Sequence, residues 1–105
     1  MASTRQAPLV PDIDAFLHEL ARLRLLALLS VLKRADFVYL LRQSGFSRGN
    51  LSVQMTKLAE AGLVAIEKGF ADNRPRTVYA LTRKGRTALR AYKVSMTTLL
   101  EALPD

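Results

Sequence analysis

The sequence predicts a mainly α-helical domain with one small β-hairpin, in the order helix, helix, helix, strand, strand, helix. Three observations predict it. Apolar residues recur at helical spacing across residues 13–32, 37–43, 48–61 and 83–103. A branched and aromatic run, Arg76–Leu81, follows the turn-forming residues Ala71–Pro75. Cap and stop residues sit at the expected joints: Asp12, Asp36, Ser47 and Thr82 before helices, Gly45 and Gly62 after them.

A chain of 105 residues is one domain by size, and half of its residues are hydrophobic. We divide it into a flexible arm, residues 1–11 with Pro8 and Pro11, and a single domain over 12–105. With no cysteine and one histidine, disulfides, thiolate chemistry and a His/Cys metal site are excluded, and no cofactor is expected. Neither a nucleophile–base set nor a phosphate-loop glycine pattern is present, so an enzyme is not expected. Residues 1–11 lack an apolar targeting core, and Leu25–Leu32 is far shorter than the roughly 18 residues a membrane span needs. A cytoplasmic protein is expected.

The first helix is placed at 12–34, capped by Asp12, with Ile13, Phe16, Leu17, Leu20 and Leu23 on one side. From Leu25 it is apolar nearly all round, which requires cover on every side. Either the chain wraps it or a second subunit does. Asp36 caps a short helix, Phe37–Gln43, stopped by Gly45. Ser47 caps the next, Arg48–Ala61, after a connection of three or four residues, which matches a helix-turn-helix. On that third helix Leu51, Met55 and Leu58 fall within about 80–140 degrees of Asn50, and Asn50, Val53, Gln54, Thr56 and Lys57 fan across the other side. Leu63–Phe70 and Arg76–Leu81 form the hairpin. Thr82 caps the last helix, with Ala88, Leu89, Tyr92, Met96, Leu99, Leu100 and Leu103 as its apolar stripe.

Net charge is +7, and it is concentrated: Arg42–Lys93 holds eleven Lys/Arg against three Asp/Glu. Such a middle suits a polyanion, although a merely soluble basic protein has the same charge. Asn50 and Gln54 carry amides that pair bidentately with adenine, Val53 suits a thymine methyl, and Lys57 suits guanine or a phosphate. Ser47 and Arg48, at the helix start, suit a phosphate oxygen. Lys68, Arg74 and Arg76 flank the hairpin turn with Asp72 and Asn73, where long cations reach phosphates or a minor groove. An ordinary solvated face and a hairpin kept soluble by charge would look the same. Arg83, Lys84 and Arg86 open the last helix against its dipole, as a phosphate contact or as plain surface. His18 reads as a packing histidine.

The run from Asp36 to Gly45, then GNLSVQMTKLAEAGLV from Gly49 and KGFADNRPRTVYALTRKGRTAL from Lys68, resembles the winged-helix regulators of the MarR/ArsR-like superfamily, in particular a small subgroup with a GNLS recognition helix. The resemblance covers about two-thirds of the chain, from near Arg22 to Tyr92. It implies a winged helix-turn-helix that binds double-stranded DNA as a homodimer, with a possible small-molecule effector of unknown kind. By position it places Ser47, Arg48, Asn50, Gln54 and Lys57 on the recognition helix and Asn73, Arg74 and Arg76 on the wing. It also implies that the first and last helices (12–34 and 83–103) make the dimer, through Phe16, Leu17, Leu20, Tyr92, Met96, Leu99, Leu100 and Leu103. Relatives have a histidine, a proline two residues on, then an arginine. Here His18 and Arg22 are present but Leu20 replaces the proline, so a straighter first helix is expected. ArsR-type Cys/His metal clusters are missing. The function expected is transcriptional regulation, as a repressor by operator occupancy, with a winged-helix protein-docking module as the alternative.

Overall fold

The computed structural model describes residues 8–105. The elements are α1 (Leu20–Leu32), β1 (Arg34–Asp36), α2 (Phe37–Ser44), α3 (Arg48–Glu60), β2 (Val64–Ala71), β3 (Arg74–Leu81) and α4 (Arg83–Glu101). They form a winged helix-turn-helix: four helices and a three-stranded antiparallel sheet in the order β1-β3-β2. Most of the expected arm, residues 1–7, lies outside the described residues; Leu9 beyond it is exposed.

Helix α1 is the spine. Leu25, Leu26 and Leu29 are fully buried, and around them close Leu40 of α2, Leu51, Met55 and Leu58 of α3, Leu63 and Val64 at the start of β2, Tyr79 and Leu81 of β3, and Tyr92 of α4. The other side of α1 is open: Leu20, Arg24, Ala27 and Val31, spaced four, three and four residues apart, all face solvent. The described residues therefore cover one side of this apolar helix and leave the opposite side bare.

Residues 12–34 are not one helix, which corrects the expectation. Asp14, rather than Asp12, closes a separate turn: its carboxylate accepts from the backbone N–H of Phe16 (2.9 Å) and Leu17 (3.2 Å), and its carbonyl accepts from His18 N–H (2.9 Å). Glu19 then turns extended (φ −86°, ψ 127°) and caps α1, accepting from Arg22 N–H at 3.0 Å. Helix α1 starts at Leu20, the position where the resemblance implies proline. Proline suits a first helical position, and here the glutamate cap marks the same boundary without it, so the expected straightening does not occur. The turn is held down by Leu17, which is buried, and by a 2.8 Å hydrogen bond between His18 Nδ1 and the Tyr92 hydroxyl of α4.

Strand β1 was not expected. Lys33 ends α1 at positive φ (70°), its N–H bonded to Leu29 carbonyl. The next three residues pair with β3 in the register Arg34↔Ala80, Ala35↔Tyr79 and Asp36↔Val78. The remaining joints match the sequence. Asp36 accepts from Tyr39 N–H (2.8 Å), Ser47 from Asn50 N–H (3.1 Å) and Thr82 from Gly85 N–H (2.9 Å). Gly45 stops α2 in the left-handed conformation at φ 70°. The hairpin is longer than expected: β2 and β3 pair from Val64↔Leu81 to Ala71↔Arg74, and only Asp72 and Asn73 form the loop. Both have positive φ (52° and 61°), the geometry that matches the twist of a two-residue hairpin.

The wing is anchored where α3, β2 and α4 meet. Thr82 N–H donates to Leu63 carbonyl (3.0 Å) and its hydroxyl donates to Gly62 carbonyl (2.7 Å). At Gly85 the helix backbone passes so close that an added Cβ would lie 2.1 Å from the Leu63 carbonyl oxygen. Gly85→Ala must push α4 off this junction; we expect a loss of about 1–3 kcal/mol, as in overpacked cores, measurable by urea denaturation. Gly49→Ala, inside α3 with nothing within 4 Å, serves as the control and should be neutral or stabilising by up to about 1 kcal/mol.

Candidate nucleic-acid interface

Helix α3 lies with Leu51, Met55 and Leu58 in the core and Asn50, Val53 and Lys57 exposed, as the helical angles require. Val53 is half exposed (51%). Ser47 and Arg48 are exposed at the start of the helix, where unpaired backbone N–H groups and the dipole favour an anion. Gln54 is half-buried. It sits between the exposed and buried sides of α3, its Nε2 3.3 Å from Asn50 Oδ1.

Helix α1 holds the turn of the helix-turn-helix and the middle of α3 with arginines. Arg24 Nη2 donates to Ser44 carbonyl at 3.1 Å, and its guanidinium lies 5.2 Å from the centre of the Phe46 ring, so the turn between α2 and α3 is clamped. Arg22 reaches α3 itself, with Nη1 3.3 Å from Gln54 Oε1. Its Nε donates to Phe16 carbonyl (2.8 Å), and its guanidinium is stacked 4.3 Å from the Phe16 ring centre. This contact is invisible in the sequence. Arg22 and Gln54 are 32 residues apart, and no local pattern announces the pair.

Asp36 ties the wing to the helix-turn-helix. One carboxylate oxygen caps α2, and the other lies 3.2 Å from Arg76 Nε on β3. A cleft of about 340 Å3 lies beside this pair, lined by Asp36, Phe37, Val38, Arg48, Pro75, Arg76 and Thr77. Arg48 and Arg76 thus flank one hollow between the recognition helix and the wing. Beyond it Lys68, Asn73 and Arg74 are exposed on the hairpin, as is Phe70 (78%). A second cross-strand ion pair, Arg34–Glu67 at 2.6 Å, lies in solvent and contributes at most about 1 kcal/mol.

The cations that open α4 divide. Arg86 Nη1 donates to Leu81 carbonyl (3.2 Å), and the Lys84 side chain lies over Gly62. Arg86 is tied to the chain by that one hydrogen bond, and Arg83, Lys84 and Arg86 are all exposed. Among the residues assigned to a dimer contact, Leu17 and Tyr92 are buried in the chain's own core. Phe16, Met96 and Leu99 are half-buried, and Leu20, Leu100 and Leu103 are exposed. Among the described residues no group of three His, Cys, Asp or Glu side chains could hold a metal, and no helix is long and apolar enough to cross a membrane.

This arrangement, a helix with a polar outer face after a clamped turn and beside a basic hairpin, defines a winged-helix DNA-binding domain. The chain belongs to the Winged helix DNA-binding domain family, whose sequence profile matches residues 21–100. It is 35% identical over 75 residues to an uncharacterized protein of Methanocaldococcus jannaschii, covering 71% of this chain and 82% of that one. A transcriptional regulator homologue from Pyrococcus horikoshii has a similar structure, with TM-score 0.80 and 28% identity over 86% of this chain and 89% of its own. A MarR family transcriptional regulator from Silicibacter pomeroyi superposes with TM-score 0.64 and 30% identity over 79% of this chain, which spans 55% of that protein. The resemblance read from the GNLS helix and the RPRT wing is thereby confirmed.

Glu19 offers a test of how α1 is seated. Its carboxyl is held below its ordinary value near 4.5, chiefly by the hydrogen bond from Arg22 N–H, with smaller help from the charges of Arg22 and Lys57. A depressed carboxylate stabilises the fold above its unfolded value, and that contribution disappears as pH falls through the folded value. We expect thermal stability to drop below about pH 4.5 in the wild type. Glu19→Gln, which keeps a cap oxygen but no titrating proton, should show a smaller drop when melting temperatures are compared across pH 3–6.

Proposed function

We propose that this protein is a sequence-specific double-stranded DNA-binding transcriptional regulator, acting in the cytoplasm as a homodimeric repressor that occupies its operator. The observation that carries the reading is the pairing of an exposed polar α3 face with a basic wing beside it. A docking module has no need for both. In this reading α3 enters the major groove, where Asn50, Val53, Gln54 and Lys57 meet base edges. Ser47, Arg48 and the first-turn N–H groups hold a phosphate, and Lys68, Asn73, Arg74 and Arg76 follow the backbone or the minor groove beyond. The contact is electrostatic in strength and polar in selectivity, and regulation is by occupancy with no chemical step.

The homodimer is supported by apolar surface left uncovered. Leu20 (68%) and Val31 (81%) lie on the bare side of α1, and Leu100 lies on a stripe of α4 that Leu103 continues just past the helix end. Met96 and Leu99 continue that stripe inward, while Phe16, Leu17 and Tyr92 back it from the core. A second copy would bury these groups and set two α3 helices on half-sites about one DNA turn apart. Leu100→Glu with Leu103→Glu should give a folded monomer by sedimentation equilibrium; a variant that stays dimeric would remove α4 from the interface.

Selection of bound duplexes from a random pool tests the whole reading, and a palindromic motif is expected. Affinity should fall steeply with salt as phosphate-bound counterions are displaced. Asn50→Ala should lose about 1–3 kcal/mol of discrimination at its base position. Arg74→Ala should weaken binding to all sequences alike and lower the salt slope by about 1. DNA affinity unmoved by both substitutions would refute the assignment.

A further inference from the structure

Helix α4 turns one row of residues straight away from the core. Arg83, Thr87, Arg90, Val94, Thr97 and Glu101 recur at alternating steps of four and three, and every one is exposed, Val94 at 62%. They lie on the side opposite Gly85 and Tyr92, the two buried residues of this helix. Alternating steps of four and three form the seam by which one helix lies along another. The row is mostly polar, so apolar burial does not say what covers it. Its charges do.

The charge is divided along the helix. From Arg83 to Lys93 there are five cations and no acid, and beyond Lys93 only acids follow, Glu101 and Asp105. Each group lies at the end where the helix dipole disfavours it, cations in the first turn and Glu101 in the last. Among the described residues neither Arg90 nor Glu101 is in an ion pair. A face that is positive at one end and negative at the other is complementary to itself when reversed. A twofold axis supplies that reversal, because it brings the same patch of both copies together. The dipoles then agree as well, since the cations of one helix lie beside the negative end of the other.

We propose that α4 pairs antiparallel with α4 of a second copy along this row, with Glu101 of each copy level with Arg90 of the other. This deepens the homodimer proposed above by giving it a face and a register. The axis falls at the height between Ser95 and Met96, and near it Val94 of each copy meets Thr97 of the other. Asp105 runs on toward Arg86. The two Arg90 side chains stand about 16 Å apart along the helices. Sliding by seven residues, so that Glu101 meets Arg83, sets Arg90 against Val94 and brings the two Arg90 within about 6 Å along the axis, which disfavours that register. Beside the row a hollow of about 270 Å3, lined by Ser30, Arg86, Leu89, Arg90 and Lys93, gives side chains of the second helix a recess on the α1 side.

Sedimentation equilibrium of the full chain without DNA tests the pairing. Arg90→Glu and Glu101→Arg each replace two attractions by two repulsions, and each should weaken the dimer about tenfold or more. Mixing the two variants should restore association to within about threefold of the wild type, as a heterodimer in which both pairs are oppositely charged again. A role inside one chain is not rescued by mixing. The double variant, which carries the reversed pair in every chain, should also dimerise, and high salt should weaken it and the wild type alike. Both residues are exposed, and circular dichroism checks that each variant is folded. Single variants that dimerise as the wild type does, or a mixture no tighter than its components, would overturn the pairing. So would an Arg90→Glu that loses DNA affinity with its dimer unchanged, which would assign that face to DNA. A monomeric wild type would remove the homodimer together with this inference, and DNA binding would stand.

Discussion

The burial of Leu25, Leu26 and Leu29 is the constraint on which the rest of the structure hangs. Helix α1, which carries them, packs against α2, α3, α4, β1 and β3. Fully burying one leucine is worth about 1.5–3 kcal/mol, and a domain this small has few such groups to share. Helix α3 and the wing, the two parts that face outward, therefore hold position by leaning on a common helix. A change in that helix would reach both.

Apolar burial gathers these elements but does not aim them, since it is proportional to area and has no direction. Direction comes from a few polar contacts placed around the core. Arg24 clamps the turn before α3, and Arg22 meets α3 a turn and a half further along. Asp36 serves two elements with two oxygens, starting α2 with one and holding Arg76 of β3 with the other. Thr82 and the close approach at Gly85 fix the base of the wing. Each is individually small, but together they fix the angle between helix and wing, and that angle decides whether both can meet one duplex.

Local physics made most of the fold legible. Asp36, Ser47 and Thr82 bond to their own helices three residues on, and Gly45 takes the backbone conformation that other residues avoid, so these boundaries lie within short sequence windows. The candidate site was legible to the same extent: helical angles placed Asn50, Val53 and Lys57 outward from composition alone. Three features were hidden. The break at Glu19 looks like helix because Phe16, Leu17 and Leu20 keep helical spacing; what breaks it is a glutamate cap, and Glu is not among the usual caps. Strand β1 is three residues long, too short to alternate, and exists only because β3 offers it an edge. The Arg22–Gln54 contact depends on how α1 crosses α3, which no window contains.

That last contact alters what a recognition face means in this protein. Reading the exposed side of α3 as a row of independent side chains gives each amide its free repertoire, donor and acceptor both. Packing removes part of that repertoire before any ligand arrives. Arg22 is drawn to its place by Phe16, by its own helix cap at Glu19 and by the low exposure of its side chain, all matters of how the chain folds. Yet the consequence is carried outward through Gln54 to Asn50, at the surface. Helix α1 thus does more than support α3: by donating to Gln54 Oε1 from behind, it favours one orientation of that amide, whose Nε2 then meets Asn50 Oδ1 on the outer face.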